Sequence, residues 1–134
     1  GPFAENLITA RENDISIVNS SFQNNQIPGG SIILSGKKIE LKNVLFEDND
    51  LTNQYTKNTT GSLINNYTFT LSQEEGHKTA ITKFSNLQLV NNKANFLTME
   101  AIRRQGDSYE NTTKILPNLP EKATECTIPE MSCK

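Results

Sequence analysis

The seven residues Asn43-Val44-Leu45-Phe46-Glu47-Asp48-Asn49 are the most informative part of this sequence, because their pattern occurs three times. The other two copies are Asn19-Ser20-Ser21-Phe22-Gln23-Asn24-Asn25 and Asn86-Leu87-Gln88-Leu89-Val90-Asn91-Asn92. Each copy begins with Asn, has Phe or Leu in the fourth position and ends with Asn or Asp followed by Asn. A repeat that aligns residue by residue predicts a stack of similar structural units.

The match continues upstream of the first two copies at the same offset of 24 residues. Asp14-Ile15-Ser16-Ile17-Val18 aligns with Lys38-Ile39-Glu40-Leu41-Lys42, and Asn6-Leu7-Ile8-Thr9 aligns with Gly30-Ser31-Ile32-Ile33. Each repeat thus holds short strand-like pieces separated by bends that contain Asn or Gly. Pieces this short form stable sheets only when they stack on copies of themselves. We therefore expect parallel ladders of strands about 4.8 Å apart.

Alternation along these pieces predicts which side chains face the core. After Asn19, Asn43 and Asn86 the inward-facing positions shift by one residue, which predicts a bend of the chain at each Asn. Asn tolerates the left-handed conformation that such a bend needs. Stacked Asn amides can also bond to one another along the stack. We expect an asparagine ladder of these three residues and an inward set of Ile15, Ile17, Phe22, Ile39, Leu41, Phe46, Phe84, Leu87 and Leu89.

One Asn at a tight corner between short strands, repeated once per coil, resembles the right-handed parallel β-helix of the pectate-lyase-like proteins. The stretches Gly29-Gly30-Ser31-Ile32-Ile33-Leu34 and Asn43 to Asn49 are also similar to coils of large surface proteins from protists and bacteria. The resemblance covers about residues 6–99. It implies an all-β, right-handed parallel β-helix of about three to four coils. An antiparallel β-sandwich is the alternative, but it predicts no such repeat.

The predicted organisation has two parts. Residues 1–102 form the coils, with an insertion at about 65–80, and residues 103–134 form an irregular tail that caps the coils or binds a partner. The tail contains Pro117 and Pro120, which disfavour a helix or a central strand.

Composition excludes several functions. The formal net charge is −2 and the basic residues are scattered, so nucleic acid is not an expected partner. No apolar run is long enough to span a membrane. Hydrophobic residues make up 34% of the chain, which predicts a slender core.

No constellation of residues indicates catalysis, a metal or a cofactor. Asp48 and Asp50 lie beside Glu47 in a predicted turn, but a Ca²⁺ site needs six to eight oxygens and the sequence offers no second acidic cluster. His77, the only histidine, lies next to Glu74 and Glu75 in a polar segment that is typical of a solvated loop tip. We expect no enzyme activity.

Four sequons and two cysteines favour an extracellular or cell-surface location. The sequons begin at Asn58, Asn111, Asn66 and Asn19, in the order in which we expect them to carry glycans. Asn19 comes last because a stacked corner residue is a poor attachment point. Cys126 and Cys133 are either free thiols or a small disulfide loop, and the even count and the intervening Pro129 favour the disulfide.

The sequence therefore predicts a non-catalytic structural or adhesive glycoprotein module. Its partners would be further coils of a larger protein or identical subunits stacked end to end into a filament, because an open coil end exposes unpaired backbone and apolar core. A carbohydrate-binding or polysaccharide-lyase-like module is the alternative, and would need clustered acids or exposed aromatic residues on one strand face.

Overall fold

The computed structural model describes residues 6–10, 13–53, 61–70, 81–94, 96–104, 111–115, 122–128 and 132–133. These residues are all-β, without a helix among them. The strands are β1 (Asn6–Ala10), β2 (Ile15–Gln23), β3 (Ser31–Ser35), β4 (Lys38–Glu47), β5 (Ser62–Thr70), β6 (Ile81–Val90), β7 (Phe96–Arg104), β8 (Asn111–Ile115), β9 (Lys122–Ile128) and β10 (Ser132–Cys133).

The strands form two five-stranded sheets, and the chain alternates between them from β1 to β7. The first sheet has the order β1-β3-β5-β7-β8, and the second has the order β10-β9-β6-β4-β2. All pairs from β1 to β7 are parallel, as the repeat predicts and contrary to the sandwich alternative. We call β1 with β2 repeat 1, β3 with β4 repeat 2 and β5 with β6 repeat 3.

The strand register reproduces the sequence alignment. Phe22 lies opposite Phe46, which lies opposite Leu89 on the next strand. The rings of Phe22 and Phe46 are stacked, with centroids 5.3 Å apart. Isolated parallel bridges join Gln26 to Asp50 and Asp50 to Lys93, so the segment after each seven-residue motif is also in register.

The core is one apolar cluster to which strands of both sheets contribute. Six of the nine residues predicted to face inward are buried: Ile39, Leu41, Phe46, Phe84, Leu87 and Leu89. The other three, Ile15, Ile17 and Phe22, are half-buried against this cluster because they belong to repeat 1, at one end of the stack.

The predicted bends are left-handed. Asn19, Asn43 and Asn86 have φ values of 50°, 54° and 54°. A second left-handed position follows at the sixth residue of each motif, with positive φ at Asn24, Asp48 and Asn91. Asn and Asp reach this conformation more easily than other residues with a side chain, which explains the first and sixth positions of the motif.

A glycine is required where repeats 2 and 3 approach each other. A Cβ atom at Gly61 would lie 1.6 Å from the carbonyl oxygen of Gly30. The Gly61 amide donates to the Leu51 carbonyl at 3.3 Å, and the Gly29 amide donates to the same oxygen at 2.9 Å. The backbones therefore meet at this corner without space for a side chain.

The predicted insertion at about 65–80 begins within a strand. β5 continues to Thr70, and residues 67 to 70 pair with residues 101 to 104 of β7. Ser35, at the end of β3, pairs with Asn66, so this part of β5 has no counterpart in repeat 2. Residues 71–80 lie outside the described part of the chain.

The described parts of the tail are strands, whereas the sequence predicts an irregular tail. β8 pairs antiparallel with β7, β9 pairs antiparallel with β6, and β10 pairs with β9. The physical reason is that the free edges of β6 and β7 carry unpaired N–H and C=O groups, which extended tail segments satisfy. The prolines lie between these strands and therefore do not interrupt them.

Candidate functional site: two asparagine ladders and the N-terminal edge

The three predicted ladder residues are brought together on an exposed corner. Asn43 Nδ2 donates to Asn19 Oδ1 at 3.0 Å, and Asn86 Nδ2 donates to Asn43 Oδ1 at 2.7 Å. We call this file the corner ladder. All of its bonds have the same polarity, so each amide nitrogen points toward the preceding repeat. Asn19 is the first member, and its Nδ2 donates to none of the described residues.

A second ladder, which was not predicted from the sequence, joins the asparagines at the seventh motif position. Asn25 Nδ2 donates to Asn49 Oδ1 at 2.9 Å, and Asn49 Nδ2 donates to Asn92 Oδ1 at 2.9 Å. The backbone amides of Asn25 and Asn49 donate to the same two oxygens at 3.2 Å. We call this file the inner ladder. The seventh motif position is Asn in all three copies, but this repetition alone does not show that the residue is enclosed.

The inner ladder also ties the motif to the strand before it. Asn49 Nδ2 donates to the Phe22 carbonyl and Asn92 Nδ2 donates to the Phe46 carbonyl, both at 2.9 Å. Asn49, in the middle of the file, is 0% exposed. A buried amide needs such complete pairing, because each unpaired polar group costs about 1–3 kcal/mol.

We define β1 and β2 as the N-terminal edge, since no described strand pairs with their outer sides. These strands are the terminal members of their sheets among the described residues. Leu7 is 51% exposed and Val18 is 53% exposed there. In the described part of the chain, Asn25 Oδ1 accepts no hydrogen bond, although the equivalent oxygens of Asn49 and Asn92 each accept two. Both ladders thus end at this edge with unused polar groups.

The opposite end differs because strands of the tail cover it. β9 pairs with β6 from Gln88 to Thr82, and β8 pairs with β7 from Thr98 to Ile102. The inward-facing residues Phe84, Leu87 and Leu89 of repeat 3 are buried, whereas Ile15, Ile17 and Phe22 of repeat 1 are half-buried. The two ends are therefore not equivalent.

The four sequons have different environments. Asn19 is exposed, and the backbone of Asn111 lies in β8, while Asn58 is outside the described residues. Asn66 is 0% exposed, and its Nδ2 donates to the Lys37 carbonyl at 2.9 Å and to Thr82 Oγ1 at 3.1 Å. Both of its amide protons are used inside the fold, which disfavours the predicted glycan on Asn66.

The two cysteines are opposite each other in backbone register. β10 pairs antiparallel with β9, and Cys133 is the partner of Cys126. Directly opposed residues in antiparallel strands have Cα atoms about 4.5–5.5 Å apart, within the range that a disulfide spans. The predicted disulfide remains a prediction that this register favours.

Asp48 and Asp50 lie at the second bend and have structural roles. Asp48 has a φ of 55°, and Asp50 Oδ1 accepts from the Thr52 backbone amide at 3.0 Å and from Thr52 Oγ1 at 2.5 Å. These hydrogen bonds hold the pKa of Asp50 below its usual value. Among the described residues no three acidic, His or Cys side chains form a cluster that could hold a metal ion. His77 lies outside the described residues.

A shallow groove of about 300 Å³ crosses the outer face of the second sheet. Its walls include Val18, Glu40, Lys42, Lys83 and Glu125, so its charges are mixed in sign. Glu40 lies directly opposite Lys83 on the adjacent strand. Phe84, the aromatic residue that borders the groove, is 2% exposed and offers no ring face for a sugar.

The fold and these two ladders define an all-β protein built from stacked, in-register repeats. No family model, curated protein or solved structure matches the chain. No helix in the described residues has the length and apolar character to cross a membrane.

Proposed function

We propose that the chain is a non-catalytic, extracellular structural or adhesive module made of right-handed parallel β-helix coils of the pectate-lyase-like kind. The parallel, in-register repeats and the stacked corner asparagines support the β-helix. Crossovers between parallel strands of one sheet are right-handed in about 98% of cases, which supports the handedness. The remaining sequons and the cysteine register support an oxidising, extracellular setting.

We further propose that the N-terminal edge binds one more coil of the same repeat type. The observation that carries this is the pair of unfilled ladders: Asn19 Nδ2 has a proton to donate and Asn25 Oδ1 has lone pairs to accept. A coil with Asn at the first and seventh motif positions supplies the complementary groups. It would also cover Val18, which is exposed, and Phe22, which is half-buried.

The tail strands argue against identical subunits joined head to tail. The C-terminal end presents β8 and β10 as its sheet edges instead of a motif with the two asparagines. We therefore assign the partner of the N-terminal edge to a repeat-bearing segment of a larger surface protein, and not to the tail of a second copy.

The docking is tested with the full chain and a synthetic peptide of residues 38–51, which carries β4, Asn43 and Asn49. Hydrogen exchange should show new protection of β2 amides when the peptide is added. A control peptide with Asn43→Ala and Asn49→Ala should protect them far less. Equal protection by both peptides, or none by the first, contradicts the docking.

The extracellular setting has its own test. Protein from native material is digested and its sequon peptides are weighed before and after treatment with an N-glycosidase. We expect a glycan on at least one of Asn19, Asn58 and Asn111. Native material in which all four sequons are bare contradicts the extracellular assignment.

A further inference from the structure

We propose that Asn19 Nδ2 has two mutually exclusive uses: it either carries an N-linked glycan or donates to the corner ladder of one more coil. A glycan on Asn19 therefore ends the stack at the N-terminal edge. This inference rests on the proposed function, since it assumes both an extracellular chain and a docking edge, and it adds the residue that regulates docking.

The first observation is the polarity of the corner ladder. Asn43 and Asn86 each use Nδ2 to donate to the preceding member of the file, at 3.0 Å and 2.7 Å. Asn19 takes part only through Oδ1, as an acceptor. N-glycosylation modifies the nitrogen and leaves the oxygen in place, so a glycan on Asn19 preserves the ladder bond to Asn43.

The second observation is the position of the sequon. Among the three corner asparagines, Asn19 alone is followed by Ser at the second position, in Asn19-Ser20-Ser21. Asn43 is followed by Val44-Leu45, and Asn86 is followed by Leu87-Gln88. The acceptor sequence thus coincides with the one corner amide whose nitrogen is free among the described residues.

Asn19 is also accessible, in contrast to the Asn66 sequon inside the fold. Asn19 is exposed at a bend with a φ of 50°, and Ser21 is exposed as well. Ser20 Oγ donates to the Val18 carbonyl at 2.8 Å, so the middle residue of the sequon is fixed locally without involving the amide. A glycan attached to Asn19 can extend from the corner without displacing the hydrogen bonds of the corner ladder or of Ser20.

The chemistry of attachment determines what remains for docking. A bond forms between Asn19 Nδ2 and the anomeric carbon of the first sugar. The bond from that carbon to the pyrophosphate oxygen of a lipid-linked oligosaccharide donor breaks, and one Nδ2 proton is released. Oδ1 still accepts from Asn43, and one Nδ2 proton remains, but the nitrogen now bears a bulky sugar at the corner where another coil would lie.

The strand spacing makes the two uses incompatible. A docked strand must lie about 4.8 Å from β2, with its corner residue beside Asn19. A sugar ring attached to the nitrogen occupies that position. The glycan would protect the unpaired edge of β2 from pairing with another strand, a role that charged or proline residues have in other sheets.

Occupancy is tested on the full chain secreted from eukaryotic cells. Ser21→Ala removes the sequon at an exposed position outside both ladders, and Ser20→Ala is the matched control, because it keeps the sequon. We expect a glycan on Asn19 in the original and Ser20→Ala chains, and none in Ser21→Ala. An Asn19 that is bare while Asn58 or Asn111 carries a glycan overturns this inference and leaves the extracellular proposal standing.

Docking is tested with the same proteins and the peptide of residues 38–51. The Ser21→Ala chain should bind the peptide at least tenfold more tightly than the chain glycosylated at Asn19. Equal binding by both chains overturns the inference alone. If the Ser21→Ala chain does not bind the peptide, the proposal that the N-terminal edge binds another coil is wrong. The proposed regulation by a glycan on Asn19 is then wrong as well.

A third variant tests the polarity argument. Gln88→Ser creates a sequon at Asn86, whose Nδ2 already donates to Asn43, and Gln88 itself is exposed. A glycan on Asn86 should lower the melting temperature by several degrees, whereas one on Asn19 should change it little. Equal melting temperatures for the two glycoforms would contradict the inference, because they would show that a glycan is tolerated equally on a free and on a hydrogen-bonded Nδ2.

Discussion

Asn25 and Asn49 are joined twice, because both the backbone amide and Nδ2 of Asn25 donate to Asn49 Oδ1, at 3.2 Å and 2.9 Å. Asn49 in turn donates to Asn92 and to the Phe22 carbonyl from a side chain with no exposed surface. The side-chain amide of Asn49 thus connects all three repeats, so its removal should destabilise the whole stack.

Asn49→Ala should lower the free energy of unfolding by about 3 kcal/mol, because it leaves several buried groups without partners. Asn43→Ala, on the exposed corner ladder, should cost about 1 kcal/mol, since water can replace its bonds. Chemical denaturation of both variants checks the difference. Equal costs would mean that the inner ladder contributes no more than the corner ladder.

Gly61→Ala should prevent folding or cost more than about 3 kcal/mol, since the new methyl group would overlap the Gly30 carbonyl. Gly29→Ala is the comparison. Gly29 has a φ of 72°, where an L-residue costs about 1–2 kcal/mol. Circular dichroism melting curves rank the two, and a mild effect at Gly61 would refute the close approach of repeats 2 and 3.

Phe46→Ala should cost about 3–5 kcal/mol, the usual range for a buried aromatic residue. Phe22→Ala should cost about half as much in the isolated chain, because Phe22 is half-buried at the N-terminal edge. With the peptide of residues 38–51 bound, the cost of Phe22→Ala should rise toward that of Phe46→Ala. A cost that stays constant would show that nothing covers Phe22.

The lowered pKa of Asp50 predicts an acid-dependent contribution to stability. The folded-state pKa is below the unfolded value, so the contribution is fully present above the unfolded pKa of about 3.9 and is lost as the pH falls through the folded pKa. Thr52→Val removes one of the two hydrogen bonds and should move the Asp50 pKa back toward its usual value. An NMR titration of the Asp50 carboxyl carbon measures this, and an unchanged pKa would remove Thr52 as the cause.

Cys126 and Cys133 should form one disulfide, since β9 and β10 place them opposite each other. Cys133→Ser should lower stability by about 2 kcal/mol, the lower end of the usual range, because the closed loop is short. Non-reducing peptide mapping of secreted protein should recover the linked pair. Two alkylated thiols, or a link to another chain, would contradict the pairing.

The register of the sheets could be predicted from the sequence because the repeat fixes it. Once Asn19 and Asn43 are aligned, Phe22 must lie near Phe46, and the parity slip at each Asn identifies the buried residues on either side. Periodicity of this kind carries information about tertiary structure that a non-repetitive sequence lacks.

The inner ladder and the tail strands could not be predicted in the same way. Asn at the seventh motif position is also common in solvated turns. Only the folded structure shows that Asn49 is buried. The tail has no repeat partner in the sequence. Its strand character arises from the free edges of β6 and β7, which is a tertiary effect.

The accessibility of the sequons depends on the tertiary structure for a similar reason. The sequence ranks Asn19 last on the premise that a ladder residue uses its whole amide, whereas Asn19, as the first member of the corner ladder, uses only Oδ1. The sequence alone does not distinguish the Asn66 sequon from an exposed one, because its burial involves contacts with Lys37 and Thr82, which are distant in the sequence.

The two ladders run in opposite directions. In the corner ladder the nitrogens point toward repeat 1, whereas in the inner ladder the nitrogens of Asn25 and Asn49 point toward repeat 3. Amide dipoles aligned in one file would add together, as peptide dipoles do along an α-helix, and would leave partial charge at the ends of a long stack. Here each added repeat contributes one side-chain amide to each ladder. Because the two ladders run in opposite directions, the dipoles of these two amides oppose each other. A protein built this way could lengthen by many repeats without accumulating an electrostatic cost at either end.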